Sequence, residues 1–407
     1  MVNCTYKGLL KASVFISLMC LLAGCGEDRT YEYDEKTQRN HHMQQVMQEW
    51  YLWGDSIRDV KCGEYFASPV DFIQKMSALS KAGDKWSYCS IDTLNNDYHP
   101  RGNVNVKNSY GFDFVIMTDP TGETTKQFAR VVTVYPGSPA DRCGLRRGDF
   151  IAQFGVDKVN TSITQKLQKG IGKQMIVSHL AVDEAEAIYY WNGNDTLQID
   201  RSEPISVPQI WVSKMIGSNV AYLMPTNLND SEELVGQLSQ LISHNPSKVV
   251  IDLRFCNQGS LETVVSLLPL LSSEKGAYLQ TIWNNRKAEY NETFNIRSDS
   301  HFDLCFITSK MTQGAGEWLI HALRSDDAAR VKVVGKATAG QNLLLKAFDT
   351  EYFYTIHLAV AYVANRNGEY DYSSGLLPDE EIDELQYLDL YPYGDPRETL
   401  LQAAINQ

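Results

Sequence analysis

Nowhere in the 407 residues is there a CxxC motif or a pair of histidines at metal-ligand spacing. The common zinc arrangements are therefore excluded, and neither a metal site nor a cofactor is expected. Internal repeats and low-complexity tracts are missing too, which leaves out repeat architectures. Positive charge is in deficit: 37 Lys and Arg face 50 Asp and Glu, a formal charge of −13. That balance argues against nucleic acid or an anionic membrane surface as an electrostatic partner. What is present, 43% hydrophobic and 21% charged residues, is a globular composition with enough apolar content for two or three real cores.

The first 24 residues differ from the rest. Lys7 and Lys11 precede the apolar stretch Ala12–Ala23, too short to span a bilayer as a mature helix. It ends Leu22-Ala23-Gly24-Cys25, which resembles a bacterial lipobox, so Cys25 would be the lipidated first residue of the mature chain, anchored to a membrane without crossing it. Gly26-Glu27-Asp28 resembles the acidic tag of surface-exposed lipoproteins in Bacteroides-like bacteria. The expected location is the cell envelope, as an outer-membrane lipoprotein. Removing Cys4, Cys20 and Cys25 from the count leaves Cys62, Cys89, Cys143, Cys256 and Cys305, an odd number. Cys62 and Cys89 both fall in the N-terminal segment, but spacing does not assign a bridge.

Residues 35–58, with Met47, Trp50, Tyr51 and Trp53, read as a helix, and Phe72–Leu79 as another. Asn95–Lys107 is polar and reads as a linker. Short alternating strands follow at Gly111–Met117, Phe128–Tyr135 and Phe150–Phe154. From Trp211 onward strands alternate with helices: Val220–Met224, a helix capped by Asp230 with Glu233 in the capping-box position, Val249–Leu253, Leu261–Leu271, Leu304–Thr308, a helix after Glu317, and Val331–Val334. The nearly uninterrupted apolar run Val249–Leu253 predicts a parallel strand buried on both faces.

Two resemblances carry function. Pro136–Asp149, a short helix enclosed by glycine turns, resembles the signature of bacterial PDZ domains, with Cys143 where a small apolar residue usually sits. The resemblance implies a groove that accepts a peptide as an added strand. Gly111, Phe112, Asp113 and Phe114 would form the loop that holds its terminal carboxylate. Further on, Ile251–Ser260 with its Asp-Leu-Arg, Thr308–Glu317, Val333–Gln341, Gly375–Asp379 and Gly394–Ile405 resemble, in order, the motifs of C-terminal processing (tail-specific) serine peptidases. Trp50–Trp53 resembles the N-terminal helix of their lipoprotein branch. The implied fold is multidomain α/β: signal peptide 1–24, helical N-terminal cap 25–95, PDZ-like β domain 96–205, and a peptidase-like α/β core 206–407 with a mainly parallel sheet.

The family works through a Ser–Lys dyad, with the serine at a helix N-terminus and an oxyanion held by backbone N–H groups of a glycine-rich loop. Here the chemical positions depart from that pattern. Gly314 falls at the serine position, Gly316 replaces a second serine, Gln341 falls at the lysine position, and Asn257, Gln258 and Gly259 stand for the oxyanion loop. An amide has no proton affinity near neutral pH. The frame residues Asp252, Arg254, Thr312, Glu317, Gly335, Thr338 and Gly340 remain. No catalytic residue is intact, and the expectation is a lipid-anchored homologue that binds peptide or protein segments, C-termini among them, without cleaving them. Two alternatives stand beside it. One is an active peptidase with a relocated site, using Ser309 or Cys256 as nucleophile and Lys310, Lys336 or Lys346 as base. The other is a structural component of a surface assembly.

Overall fold

The computed structural model describes residues 30–57, 66–78, 83–91, 108–183, 185, 188–273, 276–298, 300–350 and 354–407. Cys25, Cys62 and the whole 95–107 linker lie outside the described residues. The chain divides into two compact units, residues 1–89 with 347–358, and residues 90–346 with 359–407. The return of 347–358 to the N-terminal unit has no counterpart in the sequence reading. The PDZ-like and peptidase-like segments, read as separate domains, fall into one unit.

In the N-terminal unit, helix α1 (Thr30–Trp50) ends earlier than the expected 58 and gives way to a 3-10 turn at Gly54–Ser56. Helix α2 (Pro69–Ala78) starts where Ser68 Oγ accepts the Asp71 N–H at 3.1 Å and Pro69 occupies the first helical position, where its missing N–H costs nothing. Strand β1 spans Tyr88–Ile91.

The second unit opens with strands β2 (Phe112–Thr118) and β3 (Gln127–Val134), a short helix α3 (Pro139–Arg142), then β4 (Phe150–Phe154), β5 (Asp157–Lys158), α4 (Thr164–Gln168), β6 (Lys173–Asp183) and β7 (Ile188–Ile199). The sheet order is β2-β3-β4-β6-β7, with β5 beside β4. The strands β6 and β7 are a long antiparallel hairpin that the sequence reading did not identify.

A second sheet then forms from β8 (Ile210–Ile216), β9 (Val220–Pro225), helix α5 (Ser231–Ile242), β10 (Lys248–Asp252) and helix α6 (Leu261–Leu271). Helix α5 begins as expected at Asp230, whose Oδ1 accepts the Glu232 and Glu233 N–H groups at 2.9 and 3.2 Å. Strands β11 (Gly276–Trp283) and β12 (Glu292–Ile296) precede β13 (Asp303–Thr308), helix α7 (Ala315–Arg324), β14 (Val331–Gly335), β15 (Leu343–Asp349), β16 (Tyr354–Asn365), β17 (Glu380–Glu381) and helix α8 (Thr399–Asn406). The order is β17-β14-β13-β10-β9-β8, parallel except for β8 against β9. A smaller antiparallel sheet sets β11 between β12 and β16.

The alternation of β-strand side chains explains the apolar runs of the parallel sheet. Val249, Ile251, Leu304, Phe306, Val331 and Val333 enter a core with helices α5, α6 and α7. Their neighbours Val250, Cys305, Ile307 and Val334 enter another with Leu400, Leu401 and Ala404 of α8. Each large side chain so buried contributes about 1.5–3 kcal/mol, and the sheet's carboxyl-terminal crest is thereby held between two helix layers.

Candidate functional site

At that crest the chain leaves β13, turns, and enters α7. Gly314 is the residue before the helix, with φ +56° and ψ −115°. This is a left-handed region that glycine enters without steric cost and a residue with a Cβ enters only under strain. Three residues on, the fully buried Glu317 carboxylate gathers the surrounding backbone. Its Oε2 accepts the N–H of Gly314 at 3.0 Å and of Gln341 at 2.7 Å. Its Oε1 accepts the N–H of Gly340 at 2.6 Å and the Thr338 hydroxyl. Burial pushes the Glu317 carboxyl above its ordinary range, and these four donors push back. One carboxylate thus joins the turn after β13 to the loop after β14.

Thr312 performs a similar service on the other side. Its buried hydroxyl donates to the Leu253 carbonyl at 2.8 Å and accepts the Ser309 N–H at 3.0 Å, while its carbonyl accepts the Ala339 N–H at 2.9 Å. The result is that Gly314 and Gln341, 27 positions apart in the numbering, lie side by side. A Cβ built on Gly314 would sit 3.4 Å from Cδ, Oε1 and Nε2 of the Gln341 amide. That is ordinary contact distance, and a hydroxyl on such a side chain would have the residue-341 side chain as its neighbour. The Gln341 amide is nearly enclosed and donates to the Leu343 carbonyl at 3.4 Å.

The third expected element is also at this turn. Gly259 packs against the start of α7 so closely that a Cβ there would lie 2.5 Å from Ala315 Cβ and 2.7 Å from Leu228 Cβ. The Gln258 carbonyl accepts from Leu228 N–H, Ser260 N–H donates back to the Leu228 carbonyl, and the Asn257 carbonyl accepts from the Gln313 amide at 2.9 Å. Residues 257–260 are therefore pinned beside the helix N-terminus, where the first-turn N–H groups have no helical partner.

The candidates for a relocated nucleophile are engaged or quenched. Ser309 Oγ donates to the Arg254 carbonyl at 2.6 Å and accepts the Met311 N–H at 3.0 Å. Cys256 is fully buried, and burial pushes its thiol up to about 12, whereas a nucleophilic cysteine must be a thiolate. Lys336 pairs with Asp383 at 2.8 Å, and Lys310 and Lys346 are exposed.

In the first sheet of this unit, β2 is an edge strand and pairs with β3, so an added strand has an open edge to join. The loop before it is largely occupied by its own domain. Gly111 N–H donates to Ser109 Oγ at 3.0 Å, the Asp113 carboxylate accepts the Tyr135 hydroxyl at 2.7 Å, and the close approach that Gly111 permits is to Ser138. Tyr110 and Phe112 are core residues, and Phe114 is half-buried.

Sequence reasoning missed a buried ionic cluster that links the two segments of this unit. The Arg254 guanidinium bonds Asp252 at 2.7 Å, Glu384 at 2.7 Å and Glu398 at 3.0 and 3.1 Å. Arg147, from the loop before β4, reaches the same Glu384 and the Tyr391 carbonyl, and the Tyr393 ring lies 4.4 Å from its guanidinium and 4.9 Å from that of Arg254. Arg130 of β3 donates to the carbonyls of Leu385, Tyr387 and Leu388. In the sequence Asp252 and Arg254 stand only among the frame residues, and nothing in the spacing of Arg147, Glu384 and Glu398 points to their meeting.

Among the described residues no helix is long and apolar enough to cross a membrane, and no cluster of His, Cys, Asp or Glu is arranged to hold a metal ion. Comparison with known proteins gives two matches to families: residues 219–382 match peptidase family S41, and residues 130–168 match the PDZ domain. The carboxy-terminal processing protease CtpA of Bacillus subtilis (strain 168) is 22% identical over 272 residues, 66% of this chain and 56% of that relative, so the match spans little more than half of the relative's length. A crystal structure assigned to the S41 proteases, from Bacteroides fragilis NCTC 9343, superposes with a TM-score of 0.76 at 23% identity, over 89% of this chain and 96% of that one. At that identity the likeness establishes the fold. The mixed α/β architecture, with a PDZ domain beside a peptidase-like core, is as the sequence reading has it.

Proposed function

We propose that this chain, whose residues 219–382 match peptidase family S41 and residues 130–168 the PDZ domain, binds extended peptide or protein segments without cleaving them. One observation carries the proposal: Gly314 and Gln341 lie side by side within an unbroken frame of hydrogen bonds from Glu317 and Thr312. The resemblance assigns the nucleophile and the base to these two positions. Neither side chain here can supply a nucleophilic atom or take up a proton, and without a base of matched pKa acyl transfer loses its driving group. What survives is the edge of β2, which is suited to main-chain hydrogen bonding with an extended segment. The chain is held at the cell envelope by a lipid on Cys25, on the bacterial outer membrane.

Titration calorimetry with a library of peptides bearing different C-termini tests the binding, and saturable heats without new termini in the recovered peptides are the expected outcome. Absence of binding across the library would overturn it. The anchor has its own test: Cys25→Ala should move the protein from the membrane fraction to the soluble one, and retention in the membrane would remove that part of the proposal. The relocated-site reading is disfavoured by the buried, protonated Cys256 and by the commitment of Ser309 Oγ to the Arg254 carbonyl.

A further inference from the structure

A cavity opens at the same crest, on the face covered by α8 and beside the loop after β13. Its volume is about 240 Å³, room for one amino-acid-sized group. The walls come from the carboxyl-terminal ends of β10, β13 and β14, the place where open α/β sheets take ligands. Phe255, Ile382 and Leu400 form an apolar interior. Met311 and Leu385 also line the cavity, yet remain 42% and 41% exposed. Two large apolar side chains left in water around one opening are a feature that burial against a ligand would remove.

The charges at the opening are matched except for one. Lys336 is paired with Asp383 at 2.8 Å. Arg254 is saturated by Asp252, Glu384 and Glu398, and Glu384 is held in addition by Arg147. Lys310 makes no ion pair among the described residues, and Asp383 feels it only at longer range. An apolar interior with a single unmatched cation at the rim fits a small molecule with an apolar body and one negative group.

We infer that this cavity is a binding site for a small amphipathic carboxylate, its apolar part between Met311, Leu385 and Phe255 and its carboxylate at Lys310. The site is independent of the Gly314 turn and of whether the chain holds peptides there. Because residues 308–311 line the cavity while Thr312 and Gly314 continue the same loop into α7, an occupant touches the segment that carries the turn.

The test uses the folded chain without its signal segment and N-acetyl-leucine as probe, followed by ligand-observed NMR titration. Saturable binding that weakens with added salt is expected, with N-acetyl-leucinamide binding about tenfold or more weaker. Lys310→Met, an exposed change that leaves the fold intact by circular dichroism, should lose the preference for the acid. Leu385→Asp should abolish binding of both. Equal binding of acid and amide, or an acid preference unchanged in Lys310→Met, would overturn the inference. So would binding that is lost in Phe114→Ala and kept in Leu385→Asp, since that pattern places the probe on the PDZ edge.

Discussion

Two buried carboxylates of the second unit, Glu317 and Glu398, sit in environments of opposite character. Glu317 is surrounded by neutral donors, three backbone N–H groups and a hydroxyl, and burial leaves its carboxyl above the ordinary range. Glu398 is buried as well, which alone would raise its pKa, but the guanidinium groups of Arg254 and Arg147 and the Leu401 N–H together outweigh burial and hold it well below. The difference shows what each cluster is for. Neutral donors fix the backbone around Gly314 in one geometry and bring no charge to the turn. A charged cluster, by contrast, joins Arg147 of the PDZ segment to Asp252 and Glu398 of the core, and so restrains the two segments together. Positioning is separated from charge at the turn.

Removing the cation from the charged cluster should have the largest effect. Arg254→Ala leaves Asp252 and Glu398 buried without the guanidinium they share, and a loss of about 3–5 kcal/mol is expected. Chemical denaturation checks it, and a loss under about 1 kcal/mol would mean that the cluster is solvated.

The comparison of the two carboxylates becomes sharper when pH is varied. A carboxyl lowered in the folded state contributes stability that is present above its unfolded value near 4.5 and is lost as pH falls below it. A raised carboxyl works in the other direction: its contribution is full below about 4.5 and declines as pH rises towards the folded value. Stability–pH curves of Glu398→Gln and Glu317→Gln against the parent should therefore diverge with opposite slopes. Slopes of the same sign would contradict the assignment.

The smallest effect belongs to Gly314→Ser. Space for the Cβ exists beside Gln341, so the cost is the strained backbone, about 1–2 kcal/mol. A melting shift beyond that range would show that the turn cannot accept a side chain.

Much of this was legible in the sequence, for identifiable reasons. The strands of the parallel sheet stood out because burial on both faces demands unbroken apolar runs, and Asp230 announced its helix through capping chemistry. Gly314 and Gln341 were found as departures within an ordered series of motifs, and the structure brings them together. Strand β7 of the long hairpin was hidden because most of its residues are exposed, which leaves no apolar period to read. The cluster of Arg147, Arg254, Glu384 and Glu398 was hidden for another reason. Single charged residues separated by 14 to more than 100 positions carry no periodicity, and only the tertiary fold makes them neighbours. The sequence reading expects the PDZ loop at Gly111–Phe114, but not the contacts that this stretch makes with Ser109, Tyr135 and Ser138.

The most direct measurement is intact-mass analysis of an unfolded protein substrate incubated with the purified chain, beside a parallel incubation with a serine- and cysteine-reactive probe. The account expects an uncleaved substrate and no labelling at Ser309 or Cys256. Fragments that disappear with Ser309→Ala or Cys256→Ala would contradict it, and would make this chain a peptidase with its chemistry moved away from the Gly314 turn.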